Sequence, residues 1–188
     1  KPQIADQVAI GYFKNFKDDM YSLEAEAFYK TIKNRIDYID GANLIANEAI
    51  EQVILNGRMR SYGLELMLRK NEGKLTGWIS YTLSKSQQQT PGRNDSETGI
   101  NNGEWYNSLY DKTHNLAITS SYTLNKKWSF GANFAMQTGQ PVTYPTAYYE
   151  YQNINVPSYG LRNENRLPLY HHLDISATLT PHKNANRN

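Results

Sequence analysis

His172 and Asp174 stand two residues apart near the end of the chain, the residue types of an imidazole base oriented by a carboxylate. Asp111 and His114 form a second such pair. Either would suit a hydrolase with its acid and histidine near a rim. The sequence, however, holds neither a Gly-x-Ser-x-Gly elbow nor a His-Glu-x-x-His pair to complete one. Hydrogen bonding on a polar surface accounts for both pairs, so no catalytic residue is assigned. Asn94-Asp95-Ser96-Glu97 clusters oxygens that a calcium ion would accept, but without the spacing and glycine of a calcium loop. Loop polarity explains it, and neither a metal nor another cofactor is expected. Glu24 and Glu26 share one side of a strand but have no evident partner for acid–base work.

Binding chemistry has better support. Tyr144, Tyr148, Tyr149, Tyr151 and Tyr159 fall within sixteen residues, and Arg162 and Arg166 follow. Tyrosine offers rigid, amphipathic contact area suited to stacking on sugars or planar chelates. Trp105, Tyr106 and Tyr110 make a second group. The competing explanation is that long loops beside a membrane are tyrosine-rich for packing alone.

The elements that would carry these residues are strands. Seven segments between Val8 and Leu179 alternate apolar and polar residues with period two, the mark of strands whose two faces meet different solvents. Their apolar rows include Val8/Ile10/Tyr12, Tyr21/Leu23/Ala25/Ala27/Tyr29, Tyr62/Leu64/Leu66/Leu68 and Leu75/Gly77/Ile79/Tyr81/Leu83. Leu116/Ile118/Ser120/Tyr122/Leu124, Trp128/Phe130/Ala132/Phe134/Met136 and Leu173/Ile175/Ala177/Leu179 complete the set. No row contains Lys, Arg, Asp or Glu, whereas the opposite rows carry Glu24, Glu26, Lys30, Glu65, Arg69 and Asp174. Lipid selects for this segregation, because a midplane Arg or Lys on a lipid face costs about 2–4 kcal/mol. The tight links lie near Asn15–Asp19, Asn71–Lys74 and Asn125–Lys127. The other three, roughly Thr31–Arg58, Lys85–Lys112 and Thr138–Leu169, are each about thirty residues long. Strands alternate in direction, so short turns gather at one end and long loops at the other, as in an outer-membrane barrel. Strands of about ten residues match a tilted membrane crossing and exceed the usual globular length.

Composition fits the same picture. No run approaches eighteen consecutive apolar residues, which excludes a transmembrane helix. A mean hydropathy of -0.72 is compatible with a barrel whose lipid-facing residues alternate with a wet lumen. Fifteen tyrosines and three tryptophans suit two interfacial girdles. Net charge is +2 with no basic cluster, so nucleic acid is not an expected partner. Without cysteine there are no disulfides or thiolate metal sites. Residues Ala46–Leu55 carry a weak helical period (Ile45, Ala49, Ile50, Val53, Ile54), so the first long loop is expected to hold a short helix.

Five motifs add a resemblance. Gly57-Arg58-Met59-Arg60-Ser61-Tyr62-Gly63-Leu64-Glu65-Leu66, Asn102-Gly103-Glu104-Trp105-Tyr106-Asn107 and Tyr110-Asp111-Lys112-Thr113-His114 are the first three. Thr138-Gly139-Gln140-Pro141-Val142-Thr143-Tyr144-Pro145 and Arg166-Leu167-Pro168-Leu169-Tyr170-His171-His172-Leu173-Asp174 follow in order. Together they resemble the C-terminal barrel region of TonB-dependent receptors of the Bacteroidota. The resemblance implies a barrel of about twenty-two strands, an N-terminal plug, and nutrient import energised from the inner membrane. It also implies residence in the bacterial outer membrane, among lipid and lipopolysaccharide. The partners it implies are the plug and TonB system, through parts of the chain not in this sequence, and a surface lipoprotein in the glycan-importing branch.

Residues 1–188 then read as part of one barrel domain, an all-β antiparallel meander of about seven strands near the fourteenth to twentieth. Plug and closing strands are absent from them, another tight turn is expected over Pro181–Asn188, and Glu24 and Glu26 are expected to meet the plug or water. Seven strands alone would leave two edges in lipid, which backbone hydrogen bonding does not permit. A passive porin-like channel and a soluble, tyrosine-rich β-sandwich that binds glycans are the alternatives.

Overall fold

The computed structural model describes residues 1–42 and 49–180, and the strands stand where alternation places them. They are β1 (Ile4–Phe16), β2 (Tyr21–Tyr38), β3 (Ile54–Lys70), β4 (Leu75–Gln89), β5 (Trp105–Asn107) and β6 (His114–Thr123). After these come β7 (Trp128–Gln137), β8 (Pro141–Val142), β9 (Pro145–Tyr151), β10 (Ile154–Tyr159), β11 (Asn165–Arg166) and β12 (Tyr170–Leu179). One antiparallel sheet follows the path β1-β2-β3-β4-β6-β7-β12, with β5 added to β4. The seven expected segments are this path, a meander in chain order. Among the described residues this meander is one open sheet, and the two further sheets are two-stranded ribbons of the third loop, not the second layer of a sandwich.

Local chemistry fixes the three tight turns. Lys17, Asp18 and Asp19 take positive φ in succession, and the Asn15 amide donates to Asp19 Oδ1 at 2.6 Å. Gly73, at φ +95, closes the β3–β4 turn. Asn125 Oδ1 accepts the backbone N–H groups of Lys127 and Trp128, an Asx turn that starts β7.

Register sets the faces. Ala25, Leu66, Tyr81, Leu116 and Met136 lie in one cross-strand row, and Leu68, Ile79, Ile118, Phe134 and Leu173 in the next. Directly opposed residues share a side, so the apolar rows form one continuous face, the outer one. Leu64, Leu66, Leu68, Ile79 and Leu83 on it are 36–45% exposed, a band that water would not tolerate but lipid covers. Glu24, Glu65 and Asp174 lie on the inner face. Glu26 and Glu65 sit directly opposite one another there, beside a shallow cavity of about 440 Å³ along the wall. Tyr29 stacks on Tyr62 at 6.3 Å and Trp128 on Phe130 at 6.2 Å, at opposite margins of the apolar band. Gly77 has φ +150, and a Cβ there would come within 2.1 Å of the Thr119 carbonyl oxygen. Its backbone therefore lies too close to β6 for any side chain.

Three expectations are corrected. The strands of the first two hairpins are longer than ten residues, with β1 spanning 13, β2 18, β3 17 and β4 15, whereas β6, β7 and β12 have the expected 10. Once two strands are paired, continuing the ladder satisfies backbone groups that an open loop would leave to water. The first loop is shorter for that reason, since Tyr38 pairs with Ile54 and Asp37 with Leu55. Among the described residues the helical period is realised as a 3-10 turn at Ile50–Gln52, and Ile54 and Leu55 are already held in β3. Ile45 and Ala46 of that pattern lie outside the described residues, as does the turn expected over Pro181–Asn188. The other long loops also contain strands, with β5 in the second and β8 to β11 in the third.

One irregularity governs what lies above the wall. The β2–β3 register shifts between Lys33 and Arg35, leaving Asn34 as a bulge at φ +57. Beyond it, Arg35 and Asp37 face inward with Gly57 and Leu55, where unbroken alternation would have turned them outward.

Candidate ligand-binding site on the long loops

Above the wall, the inner sides of β2, β3 and β4 gain a small core. Leu55, Ile100 and Tyr106 are buried together, with Ile39 packed against them. Polar groups ring this core. Asp37 Oδ2 accepts from Gln88 Nε2 at 2.7 Å and from the Tyr106 hydroxyl at 2.8 Å, and Thr90 Oγ1 lies 2.9 Å from that hydroxyl. Burial pushes the Tyr106 phenol up to about 12, so it remains a neutral donor at any physiological pH.

Two arginines of the third loop fasten it to the other loops. Arg162 Nη1 donates to Asp37 Oδ1 at 2.9 Å, its Nε to Asp40 Oδ1 at 3.0 Å, and its Nη2 to both the Tyr38 carbonyl and Asp40. The Arg162 backbone exchanges two hydrogen bonds with the Asn101 side chain, at 2.8 and 3.0 Å. The first, second and third loops thus meet at one residue. Arg166 donates to Asp111 Oδ2 and to the carbonyls of Asp111 and Gly139. Asp111 is fully buried, and its Oδ1 accepts the Ser86 N–H. That N–H falls where β4 has left β6 and not yet met β5, so a side chain completes the ladder. Lys85 Nζ approaches the same carboxylate at 3.7 Å.

The loop residues marked in the sequence therefore divide. Tyr106, Arg162 and Arg166 have their polar atoms committed to internal bonds. Trp105 lies on the outer face, with the guanidinium of Arg60 4.1 Å and that of Arg58 5.4 Å from its ring centroid. Tyr110, Tyr144, Tyr148, Tyr149, Tyr151 and Tyr159 are exposed, between 45% and 71%. Four of these six stand on the β9–β10 hairpin. Tyr149 and Tyr151 pair with Val156 and Ile154 on one side, and Tyr148 with Pro157 on the other. Beside the Arg162 clamp a polar cavity of about 310 Å³ opens between Arg35, Asp37, Gln88, Thr143, Arg162 and Asn163.

Sequence reasoning missed Asp37, Gln88 and Thr90. Nothing in the alternation marks them, and Asp37 faces inward only because of the bulge.

Of the two His–Asp pairs noted in the sequence, one comes together in the structure and one does not. His114 Nδ1 meets the Tyr81 hydroxyl at 2.8 Å and does not pair with Asp111. His172 Nε2 does meet Asp174 Oδ1, at 3.0 Å, but both are exposed on an edge strand and no hydroxyl bonds the ring among the described residues. In the oxygen cluster, Asn94 Oδ1 accepts from Ser96, and both Glu97 oxygens are bound by Arg93. Among the described residues, no three His, Cys, Asp or Glu side chains converge on a metal-sized site.

Comparison with known proteins gives one match. The family model described as TonB dependent receptor-like, beta-barrel matches residues 1–186. No curated protein and no solved structure matches the chain.

Proposed function

The chain belongs to the TonB-dependent receptor β-barrel family, and on that premise we propose that residues 1–188 form one stretch of the barrel wall of an energised importer. The family resides in the bacterial outer membrane and imports nutrients. The five sequence motifs favour the Bacteroidota branch. The observation that carries the wall reading is the open meander. Among the described residues β1 pairs only with β2 and β12 only with β7. The first and seventh strands of an antiparallel meander run the same way, so they cannot close on each other antiparallel. In lipid each unpaired backbone group costs several kcal/mol, so strands from elsewhere in the receptor must complete both edges. A plug then fills the lumen against the inner-face glutamates Glu24, Glu26 and Glu65, and the TonB system acts through it.

The nutrient is met by the exposed tyrosines of the third loop, Tyr148, Tyr149, Tyr151 and Tyr159, with Tyr110 and Tyr144 beside them. Arg162 and Arg166 hold the third loop against the others, and Tyr106 braces the core beneath them. Rings presented on a paired hairpin lose little freedom on binding, which favours stacking on a sugar or a planar chelate. A surface lipoprotein covering the loops is compatible with this arrangement.

The test uses the complete receptor in a deletion strain. Growth is measured on ferric chelates, oligosaccharides, a vitamin and peptides, with and without a functional TonB system. Import of one class should depend on both the receptor and TonB, and alanine at the four hairpin tyrosines should weaken uptake while leaving the receptor in the membrane. Uptake that persists without TonB would identify a passive channel instead.

A further inference from the structure

The loops turn one cation toward the lumen without giving it an acid. Arg35 faces inward because of the bulge at Asn34, and it lines the polar cavity of about 310 Å³ beside the Arg162 clamp. Its Nε donates to Gln88 Oε1 at 3.3 Å, and Gln88 is fixed in turn by Asp37 and the Tyr106 hydroxyl. Bonded neighbours therefore orient the guanidinium, while among the described residues nothing bonds its two Nη groups. The surrounding carboxylates are committed or turned away. Asp37 divides its oxygens between Arg162, the Tyr38 N–H, Gln88 and Tyr106. Asp40 serves Arg162, Asp111 serves Arg166 and the Ser86 N–H, and the Glu164 carboxylate lies against Gly160. Glu104 is exposed just ahead of β5. Lys30, a second inward cation of β2, lines a separate cavity beside Tyr110. The clamp is neutral within itself, since Arg162 stands between Asp37 and Asp40. One positive charge is left over in its cavity.

A second group in the same cavity is also unfilled. Asn163 is 4% exposed and donates from Nδ2 to the Asn107 carbonyl at 2.8 Å, yet nothing bonds its Oδ1 among the described residues. Thr143 Oγ1 accepts the Asn163 N–H at 3.0 Å and keeps its own proton to donate. The cavity thus sets a forked cationic donor beside one buried acceptor and one hydroxyl. A guanidinium fork matches the two oxygens of a carboxylate. A single uncancelled charge balances a monoanion, whereas a phosphate monoester would bring roughly 1.5 to 2 negative charges. The acceptor and the hydroxyl fit an alcohol group next to that carboxylate. Ligand pockets begin at about 300 Å³, so this one takes a single residue or arm of a larger ligand.

We propose that the Arg35 cavity is a subsite for a hydroxylated carboxylate group of the imported nutrient. The Arg35 fork takes both carboxylate oxygens, and Asn163 and Thr143 take the neighbouring hydroxyl. The subsite rests on the reading of the long loops as the nutrient site, and it narrows that nutrient to an acidic one. Two sources carry this chemistry, a sugar acid within a glycan and a hydroxycarboxylate arm of a chelate.

The experiment uses the complete receptor, purified in a neutral detergent and shown to be assembled by its heat-dependent gel mobility. Calorimetric titration compares oligogalacturonate, its fully methyl-esterified form, ferric citrate and inorganic phosphate. One of the two acids should bind, and Arg35→Gln should weaken it by at least about tenfold. Oligogalacturonate as the ligand names a glycan as the source, ferric citrate names a chelate, and either supports the subsite. The methyl ester should bind more weakly than oligogalacturonate and be indifferent to Arg35→Gln. Lys126→Gln/Lys127→Gln, at the opposite rim, should behave as wild type. Should Arg35→Gln fail to assemble, Arg35→Lys, which keeps the charge and loses the fork, should still weaken the acid several-fold. Failure of both acids to bind at about 10 mM, or unchanged acid binding by an assembled Arg35 variant, would overturn the subsite. Equal affinity for oligogalacturonate and its methyl ester would overturn it for a glycan, and phosphate bound more tightly than either acid would overturn its assignment to a carboxylate. TonB-dependent growth and the effect of the hairpin tyrosines are read separately. A failed acid test with both intact leaves the importer standing, whereas a failed importer shows first in growth.

Discussion

The wall and the loop deck above it are held together by different means. Below the girdle tyrosines almost every contact is a backbone ladder, and side chains serve chiefly to match the solvent on each face. Above them, single side chains do work that backbone does elsewhere. Asp111 fills a missing rung, Tyr106 ties three strands through one hydroxyl, and Arg162 joins three loops. The wall is redundant, since one altered rung leaves its neighbours intact. The deck depends on a few residues, each with several partners.

The comparison breaks most easily at Asp111. In the complete receptor, Asp111→Ala should cost about 3–5 kcal/mol locally, because Arg166 is left without its carboxylate and the Ser86 N–H without an acceptor. Proteolysis should open the second and third loops together while the barrel keeps its heat-dependent gel mobility. If the barrel fails too, deck and wall are one unit. Leu66→Arg probes the other region. A charge on the outer face near mid-wall should cost about 2–4 kcal/mol and reduce membrane assembly, whereas Ser80→Arg, on the inner face, should be tolerated. Equal effects of the two would remove the lipid face.

A smaller effect is expected for Tyr106→Phe. It deletes the hydroxyl shared by Asp37, Gln88 and Thr90 and should cost about 1–3 kcal/mol, read as faster hydrogen exchange over residues 88–107 with the wall unchanged. The smallest sharpens the picture within the deck. Arg93 bonds Glu97 through its side chain and its backbone N–H and holds the carboxyl down to about 2. The stabilisation is therefore complete above the ordinary carboxylate range and is lost as pH falls through about 2. Limited pepsin digestion of the second loop should accelerate toward pH 2 in wild type, and Glu97→Gln should be cut at the faster rate at pH 4 already.

Legibility in the sequence followed the same division. Rows such as Leu64/Leu66/Leu68 could be assigned to a face because lipid enforces period two, and a slip of one residue would invert them all. The turn at Asn125 was legible because its chemistry is local. The upper reaches of β2 to β4 were not, since Arg58, Arg60, Gln87 and Gln89 are polar where alternation calls for apolar residues. In the headgroup layer and above it, both faces of a strand are wet. The clamp at Arg162 was out of reach for another reason. Its partners Asp37 and Asp40 lie over a hundred residues away, and no periodic signal links an arginine in one loop to an aspartate in another. The tyrosines were visible as a cluster, but which of them are exposed depends on the β9–β10 pairing.

The bulge at Asn34 means that β2 is written in two reading frames. On its lower side, even-numbered residues look into the lumen. Above Asn34, odd-numbered residues do, and Arg35 and Asp37 are inward for that reason alone. One inserted residue works as a phase adjuster between two modules that obey different grammars. Loops built for another cargo can be joined to the same hairpin in either phase, with the mismatch absorbed at a single joint, and the lipid-facing pattern below need not change at all.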